Sequence, residues 1–499
     1  MGLLVSRVLR CRDSSLLEPQ PEAIAGASYI PGSRKRKRNS LEELATSSNV
    51  HGPQNQGMYP HQVLNYIYWK RVKISSNDAY QNLFLDGHDS DIKIRALGRT
   101  WCLHKVFLCQ SGYFANILKG TWRESHQGVI NLIIKNEDID TRSLHFVLFG
   151  ALYTDADLSI TPLEVPQVLA AACLLRVDRV IQQCEGIMKE TINRNTVCSY
   201  YLAAETYRLK AVKTRCFEWL LCNLMVHPSV ALYKKVDLKL MYLLALSSDL
   251  LVMQKEIDVY TTLKIWMFLY LNPCWNGTMK QLLQHANNWL STHMAYVDNI
   301  SFLESEEGLI FQPVFKKLRF QHIICDLTST TILEQDRLIP MAWLSPIYKQ
   351  QWLTLLRTQE YGVIGPQVIN EQELEECTMR CGTMIPKDGR YTWKWSVGRL
   401  GFPLRVTFTR QCVILRQRCQ RCDGSACHNH IRNVIFRITL VCFDSNKRVT
   451  FRKTTGYKIL TFEYNEEQIV MKLDSDALTF PMCIFCNFLF VNLGNAENK

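Results

Sequence analysis

The stretch Trp101–Glu124, W-C-L-H-K-V-F-L-C-Q-S-G-Y-F-A-N-I-L-K-G-T-W-R-E, reads as a strand, a buried turn, a short helix and a loop that ends on an acid. Ser111 is placed to cap the helix. Tyr113, Phe114, Ile117 and Leu118 then recur at steps of three and four, so they share one face that needs a core to pack on. Upstream, Asp91-Ile92-Lys93-Ile94 alternates polar and apolar residues, as a strand with one buried side does. Downstream, Leu144, Val147, Leu148, Ala151 and Leu152 keep helical spacing, and so do Val165, Val168, Leu169, Ala172 and Cys173. Thr161 and Glu164 form a capping-box pattern with Pro162 at the first helical position, which predicts where the last of these helices starts. Two strands and a helical cluster within about 100 residues, a common domain size, make a compact α+β unit.

The whole chain has 499 residues, enough for roughly three domains that each bury an ordinary core. No window reads as transmembrane. The most apolar run, Leu478–Leu493, is interrupted by Pro481, Asn487 and Asn492 and reads as a buried strand pair. The N-terminus lacks the apolar centre of a secretory signal, so the 19 cysteines are expected as reduced, mostly buried thiols inside a cell. The net charge is +12, unevenly placed. From Arg380 to Leu460 there are 17 Lys and Arg against three Asp, so the basic character belongs largely to the C-terminal region.

Residues 1–75 have little apolar periodicity and much Ser, Pro, Gly, Asn and Gln, and are expected to be disordered. Within them Arg34, Lys35, Arg36, Lys37 and Arg38 fit a nuclear localisation signal, an extended run of cations for the acidic pockets of an import receptor. Gly2, with Ser6 four residues on, fits the N-myristoylation pattern, and Arg7, Arg10 and Arg12 add attraction to an anionic membrane. The α+β unit is assigned to 76–190. An all-helical region is assigned to 191–305, where Tyr200, Ala203, Ala204 and Tyr207 line one face, Val212, Cys216, Trp219 and Leu220 the next, and Val259–Leu271 forms a later helix. Residues 306–499 are read as β-rich. Tyr391–Trp395, Leu404–Thr409, Cys412–Arg416, Val434–Phe443, Val449–Thr454, Ile459–Tyr464, Gln468–Leu473 and Cys483–Val491 are short β-branched and aromatic runs that suggest a sandwich or a partly open barrel. No repeat period is present.

Enzyme chemistry finds little to work with. No Ser-His-Asp or Cys-His arrangement, phosphate-cradling Gly loop or H-E-x-x-H motif can be assembled, so the chain is expected to be noncatalytic, without cofactor or small-molecule substrate. His104 reads as a structural residue of the α+β core. Cys419, Cys422, Cys427, His428 and His430 are of zinc-ligand type but lack the second well-spaced pair of a finger, and the run is read as an exposed hairpin loop with no metal assigned. The C-terminal cations, interleaved with Tyr391, Trp393, Trp395, Phe402 and Phe408, fit nucleic acid, acidic protein segments or simple solvated strand faces, and the pattern does not choose among them.

The strand Ser90–Ile94, the His104-Lys105 pair, and Ser111 followed by Tyr113-Phe114 resemble the BTB family at independent points. The paired helices that follow resemble a BACK domain. With a β-rich end free of kelch repeats and a basic nuclear signal, the chain from about residue 75 onward is similar to the germ cell-less family. Tyr348–Trp352, Met379–Gly382, Lys387–Gly389 and Thr454–Tyr457 carry the more specific part of that resemblance. The resemblance implies a BTB homodimer that docks cullin-3 through Phe114, Trp122 and Glu124, where family members place a hydrophobic residue, any residue, then Glu. Trp122 is bulkier than the aliphatic, Met or Phe side chain that leads the pattern. It further implies a substrate adaptor of a cullin-3 ubiquitin ligase in the nucleus, at the envelope or matrix, acting in germ-cell development or spermatogenesis. The alternative it leaves open is a nuclear-envelope or transcriptional corepressor scaffold with no ligase activity, in contact with nuclear-envelope or transcription-factor proteins.

Overall fold

The computed structural model describes residues 79–119, 128–154, 159–294, 300–361, 365–366, 370–396, 403–417, 432–462, 466–474 and 478–492. The first strand, β1 (Ile92–Ala96), buries Ile92, Ile94 and Ala96 and exposes Lys93 and Arg95, as its alternation predicts. Leu97 and Gly98, both at positive φ, turn the chain tightly into β2 (Arg99–Leu103), which pairs antiparallel with β1. A third strand, β3 (Val129–Asn131), joins the other edge of β1 in parallel. Helices Gly112–Lys119, Thr141–Leu152, Val165–Leu175 and Asp178–Glu190 complete the α+β unit.

One helix starts later than its sequence suggested. Thr161 and Glu164 do meet, hydroxyl to carboxylate at 2.6 Å, but the helix opens at Val165 with Pro166 in its first turn. The cause is Pro166. In a helix begun at Pro162 it would sit where a main-chain N–H must bond back four residues, and proline has none.

The helical region continues from Val197–Thr206 and Lys210–Asn223 through Glu256–Leu271 to the long helix Met341–Tyr361 and the short Glu371–Cys377. The boundary at 306 is therefore corrected: 306–377 is mostly helical, and β-structure resumes only at Met379. Phe311, Phe315, Phe320, Leu333 and Leu344 are buried in the same apolar core that begins at Leu83. They had to be helical to add one continuous face to that core.

From Met379 the chain forms two antiparallel sheets. Strands β4 (Met379–Ile385), β8 (Arg432–Phe443), β9 (Val449–Thr454), β10 (Lys458–Phe462) and β12 (Met482–Val491) make the first, in the order β10-β8-β12-β4 with β9 also on β8. Strands β5 (Tyr391–Ser396), β6 (Pro403–Phe408), β7 (Cys412–Gln417) and β11 (Glu467–Lys472) make the second, in the order β11-β7-β6-β5. The sheets share one core, with Val434, Phe436, Ile438 and Leu440 of β8 and Ile484, Cys486 and Phe488 of β12 against Leu404, Val406, Phe408, Val413 and Leu415. This is a sandwich and not a closed barrel.

Within the run Leu478–Leu493 the described residues form one strand, β12, and not a pair. Every residue of β12 is buried, because both its faces are covered. One faces the sandwich core, and the other presents Cys483 and Phe485 to Cys222 and Leu251 of the helical region. A strand covered on both sides reads as an unbroken apolar run.

The two regions touch chiefly through polar groups. Arg380, 1% exposed, forks onto Glu256, 0% exposed, at 3.1 and 2.5 Å, and its remaining nitrogen donates to the carbonyls of Ala245 and Ser247. Burial works to raise the Glu256 carboxyl pKa, but the Arg380 charge prevails and holds it below the ordinary value. Arg319 donates to the Thr378 and Glu375 carbonyls, and burial, with Arg380 close by, pulls its pKa down to about 9, so it stays charged at neutral pH. Arg437 and Asn487 both bond the Ser248 carbonyl, at 2.8 and 3.1 Å. Gly382 pairs its main chain with Gln254, and a Cβ there would fall 2.6 Å from the Val252 carbonyl oxygen.

Candidate functional site

In the α+β unit the structure fixes the turn after β2 and the helix that follows it. His104 donates from Nε2 to the His88 carbonyl (2.8 Å), which leaves Nδ1 to accept from the Tyr153 hydroxyl (3.0 Å). The Tyr153 oxygen in turn accepts the His104 main-chain N–H at 3.0 Å. Both ring nitrogens are satisfied, and His104 is the structural residue expected. Asp91 accepts from the Lys105 main-chain N–H at 2.8 Å and ties β1 to the turn after β2.

Ser111, fully buried, donates to the Leu175 carbonyl (2.5 Å) and accepts from the Phe114 N–H (3.3 Å), capping helix Gly112–Lys119 as its position suggested. Gly112 lies where a Cβ would come within 3.1 Å of the Arg176 Cβ, so the helix start sits close against the turn that ends Val165–Leu175. Phe114 is 0% exposed. It therefore holds the helix to the core, and its ring is not on the surface for a partner to touch. Tyr113, Ile117 and Leu118 are half-buried on the same core. Past this helix the chain must return to β3 at Val129, and the span between them carries Trp122 and Glu124.

Trp122 and Glu124 lie outside the described residues, as do Gly2, the cluster Arg34, Lys35, Arg36, Lys37 and Arg38, the whole of 1–75, and the Cys419–His430 run. Three buried cysteines of the apolar core are poor nucleophiles. Burial pushes the thiols of Cys184, Cys198 and Cys216 up to about 12, keeping them protonated.

The C-terminal aromatics separate from the cations they interleave with. Trp395 and Phe408 are buried in the sandwich, and Tyr391 and Trp393 pack on it from the side, stacked in series with centroids 6.0 and 6.3 Å apart along Tyr391, Trp393 and Trp395. Lys394 and Arg405 alternate with them and so point out of the opposite face. The interleaving is core alternation, with the rings on the side of the strand that packs on the sandwich; Phe402 lies outside the described residues. Sequence reasoning missed the joint centred on Arg380 and Glu256, which sit 124 residues apart. The available signal was a lone Arg in an otherwise apolar run, Met379–Ile385.

Residues 80–192 match the BTB/POZ domain. Over all 499 residues the chain is 99% identical to germ cell-less protein-like 2 of Mus musculus, with 100% of each covered. It is 48% identical over 432 residues to germ cell-less protein-like 1 of Homo sapiens, covering 86% of this chain and 84% of that protein. It is also 32% identical over 455 residues to protein germ cell-less of Drosophila melanogaster, covering 86% and 79%.

Proposed function

This chain belongs to the germ cell-less family and carries a BTB domain, and from that premise we propose that it is a noncatalytic substrate adaptor of a cullin-3 ubiquitin ligase, nuclear, with a role in germ-cell development or spermatogenesis. The BTB unit pairs with a second copy and docks cullin-3; the C-terminal sandwich selects the client. The carrying observation is the stem: Ser111, Gly112 and Phe114 fix the helix that delivers the chain to Trp122 and Glu124. In this reading Trp122 fills a groove on the cullin and Glu124 accepts hydrogen bonds at its rim. Phe114 acts one step back, as the anchor that positions the helix.

Proximity is the mechanism. An adaptor accelerates transfer by raising the effective concentration of the client lysine near the charged ubiquitin carrier. That requires a stiff link between the docking stem and the client-binding end. The buried contacts of Arg380, Arg319, Arg437 and Asn487 support such a link, and Arg448 of the β8–β9 turn also donates to the carbonyl of Glu190, the last residue of the BTB unit's final helix. The inward aromatics weigh against the base-stacking form of a DNA-bound scaffold.

The test is co-purification from cells expressing the full chain. Trp122→Ala with Glu124→Ala is expected to abolish cullin-3 recovery while light scattering still reports a dimer. Undiminished recovery counts against the docking assignment.

A further inference from the structure

The outward face of the second sheet carries a feature that its own fold does not call for. Register places Lys394 opposite Arg405, and Arg405 opposite Arg416, so three cations stand side by side across β5, β6 and β7. Like charges directly opposite each other destabilise a sheet. Neighbouring strands lie about 4.8 Å apart, so the row packs its charge into roughly 10 Å.

Internal compensation is partial. Glu467 of β11 pairs with Arg416 at 2.7 Å, which answers one charge of three. Among the described residues Lys394 and Arg405 form no ion pair, and the Arg416 Nε is buried without a hydrogen-bond partner. The next row along the strands is neutral: Thr392 meets Thr407, hydroxyl to hydroxyl at 3.1 Å, followed by Ile414 and then Ile469, which is 60% exposed. On the first sheet the helical region covers the outer side of β8 and β12.

Resting on the adaptor reading, we propose that this face is the client site, and that it takes an acidic peptide segment with apolar residues beside its carboxylates. Carboxylates of the client answer the unpaired cations Lys394 and Arg405, and the apolar residues cover Ile414 and Ile469. An extended segment repeats its side chains on one face every 6–7 Å or so, within reach of flexible Lys and Arg side chains set across the row. The partner is recognised by charge and by a shallow apolar strip, with no ring to stack on a base.

The experiment uses the full chain and a labelled twelve-residue peptide repeating Glu-Ser-Val-Ser, which sets Glu and Val on one face of an extended chain, with a Gln-for-Glu version as control, read by fluorescence anisotropy at several salt concentrations. Wild type is expected to bind the acidic peptide at least tenfold more tightly than the control, with affinity falling as salt rises. Lys394→Gln with Arg405→Gln is expected to remove that preference. Arg452→Gln with Lys453→Gln, on β9 of the other sheet, is expected to keep it. Equal losses in both double variants, or none in the first, overturn the site; duplex DNA that displaces the peptide at equal concentration overturns the partner class. Cullin-3 recovery is measured on the same variants. It is expected to be unchanged by Lys394→Gln with Arg405→Gln, so a failed client site and a failed adaptor reading give different results.

Discussion

The helical region is joined to its two neighbours by different chemistry. Toward the BTB unit it shares one unbroken apolar core, running from Leu83 to Leu344. Toward the sandwich it has a small apolar contact made by Cys222, Leu251, Val441, Cys483 and Phe485, surrounded by buried Arg380, Glu256, Arg319, Asn487 and partly buried Arg437. The apolar joint tolerates any partner of the right volume. The charged joint accepts one register, since each buried donor must meet its own acceptor. The first is a joint of adhesion, the second a joint of position.

The strongest challenge to this contrast is Arg380→Met, which leaves Glu256 buried and unpaired. It is expected to lower stability by about 3–5 kcal/mol, measured as a shift in urea midpoint. Adding Glu256→Leu is expected to restore most of the loss, since an apolar pair of similar volume replaces a buried ion pair with little net change. Failure of the second substitution to help would mean that the ion pair stabilises the joint outright and does not merely specify its register. On the apolar side, Leu220→Ala removes a fully buried side chain from the helix that packs on Asp178–Glu190. A loss of about 2–4 kcal/mol is expected, and no single deletion across the interface should rescue it.

At neutral pH the smallest effect is the one His322 has on the charged joint, which grows only as the solution is acidified. Burial pushes His322 down to about 4, while its Nε2 hydrogen-bonds to the Cys377 carbonyl at 2.6 Å. Between its ordinary value near 6.5 and about 4 the unfolded chain holds the proton and the folded one does not. Stability is therefore full above pH 6.5 and falls as pH drops through that window, by at most about 1.4 kcal/mol per pH unit. His322→Gln is expected to flatten that slope in denaturation measured from pH 7 to pH 4.

The same contrast decides what could be read from the chain. Periodicity reports apolar contact, so β1 and eight of the C-terminal strands were legible to within a residue or two, and the helices at Val197–Thr206 and Lys210–Asn223 were legible by their apolar faces. β4 was missed because Arg380 stands in it, and a charge in an apolar run reads as surface until its partner is known. Of the helices missed in 306–377, the long Met341–Tyr361 carries Pro346, a helix breaker, inside it, and Leu309–Phe311, Gln312–Phe315 and Phe320–Ile323 are each about a turn long. Too few residues remain in each for a period to show. At the candidate docking site Ser111 and His104 were legible because their bonds are local or belong to the fold. Phe114 was expected at the cullin and lies in the core, since helical spacing marks a face without saying how deep each residue of it sits.

Gly382 shows what this arrangement means for motion. There the main chain of β4 is bonded directly to that of Gln254, with no room for a side chain between the two. Such a seam blocks sliding: the sandwich cannot shift along it without breaking main-chain pairing. If the chain works as the proposed adaptor, a client held on the sandwich stays at a set distance from the helical body, so reach is set by the fold and not by a tether.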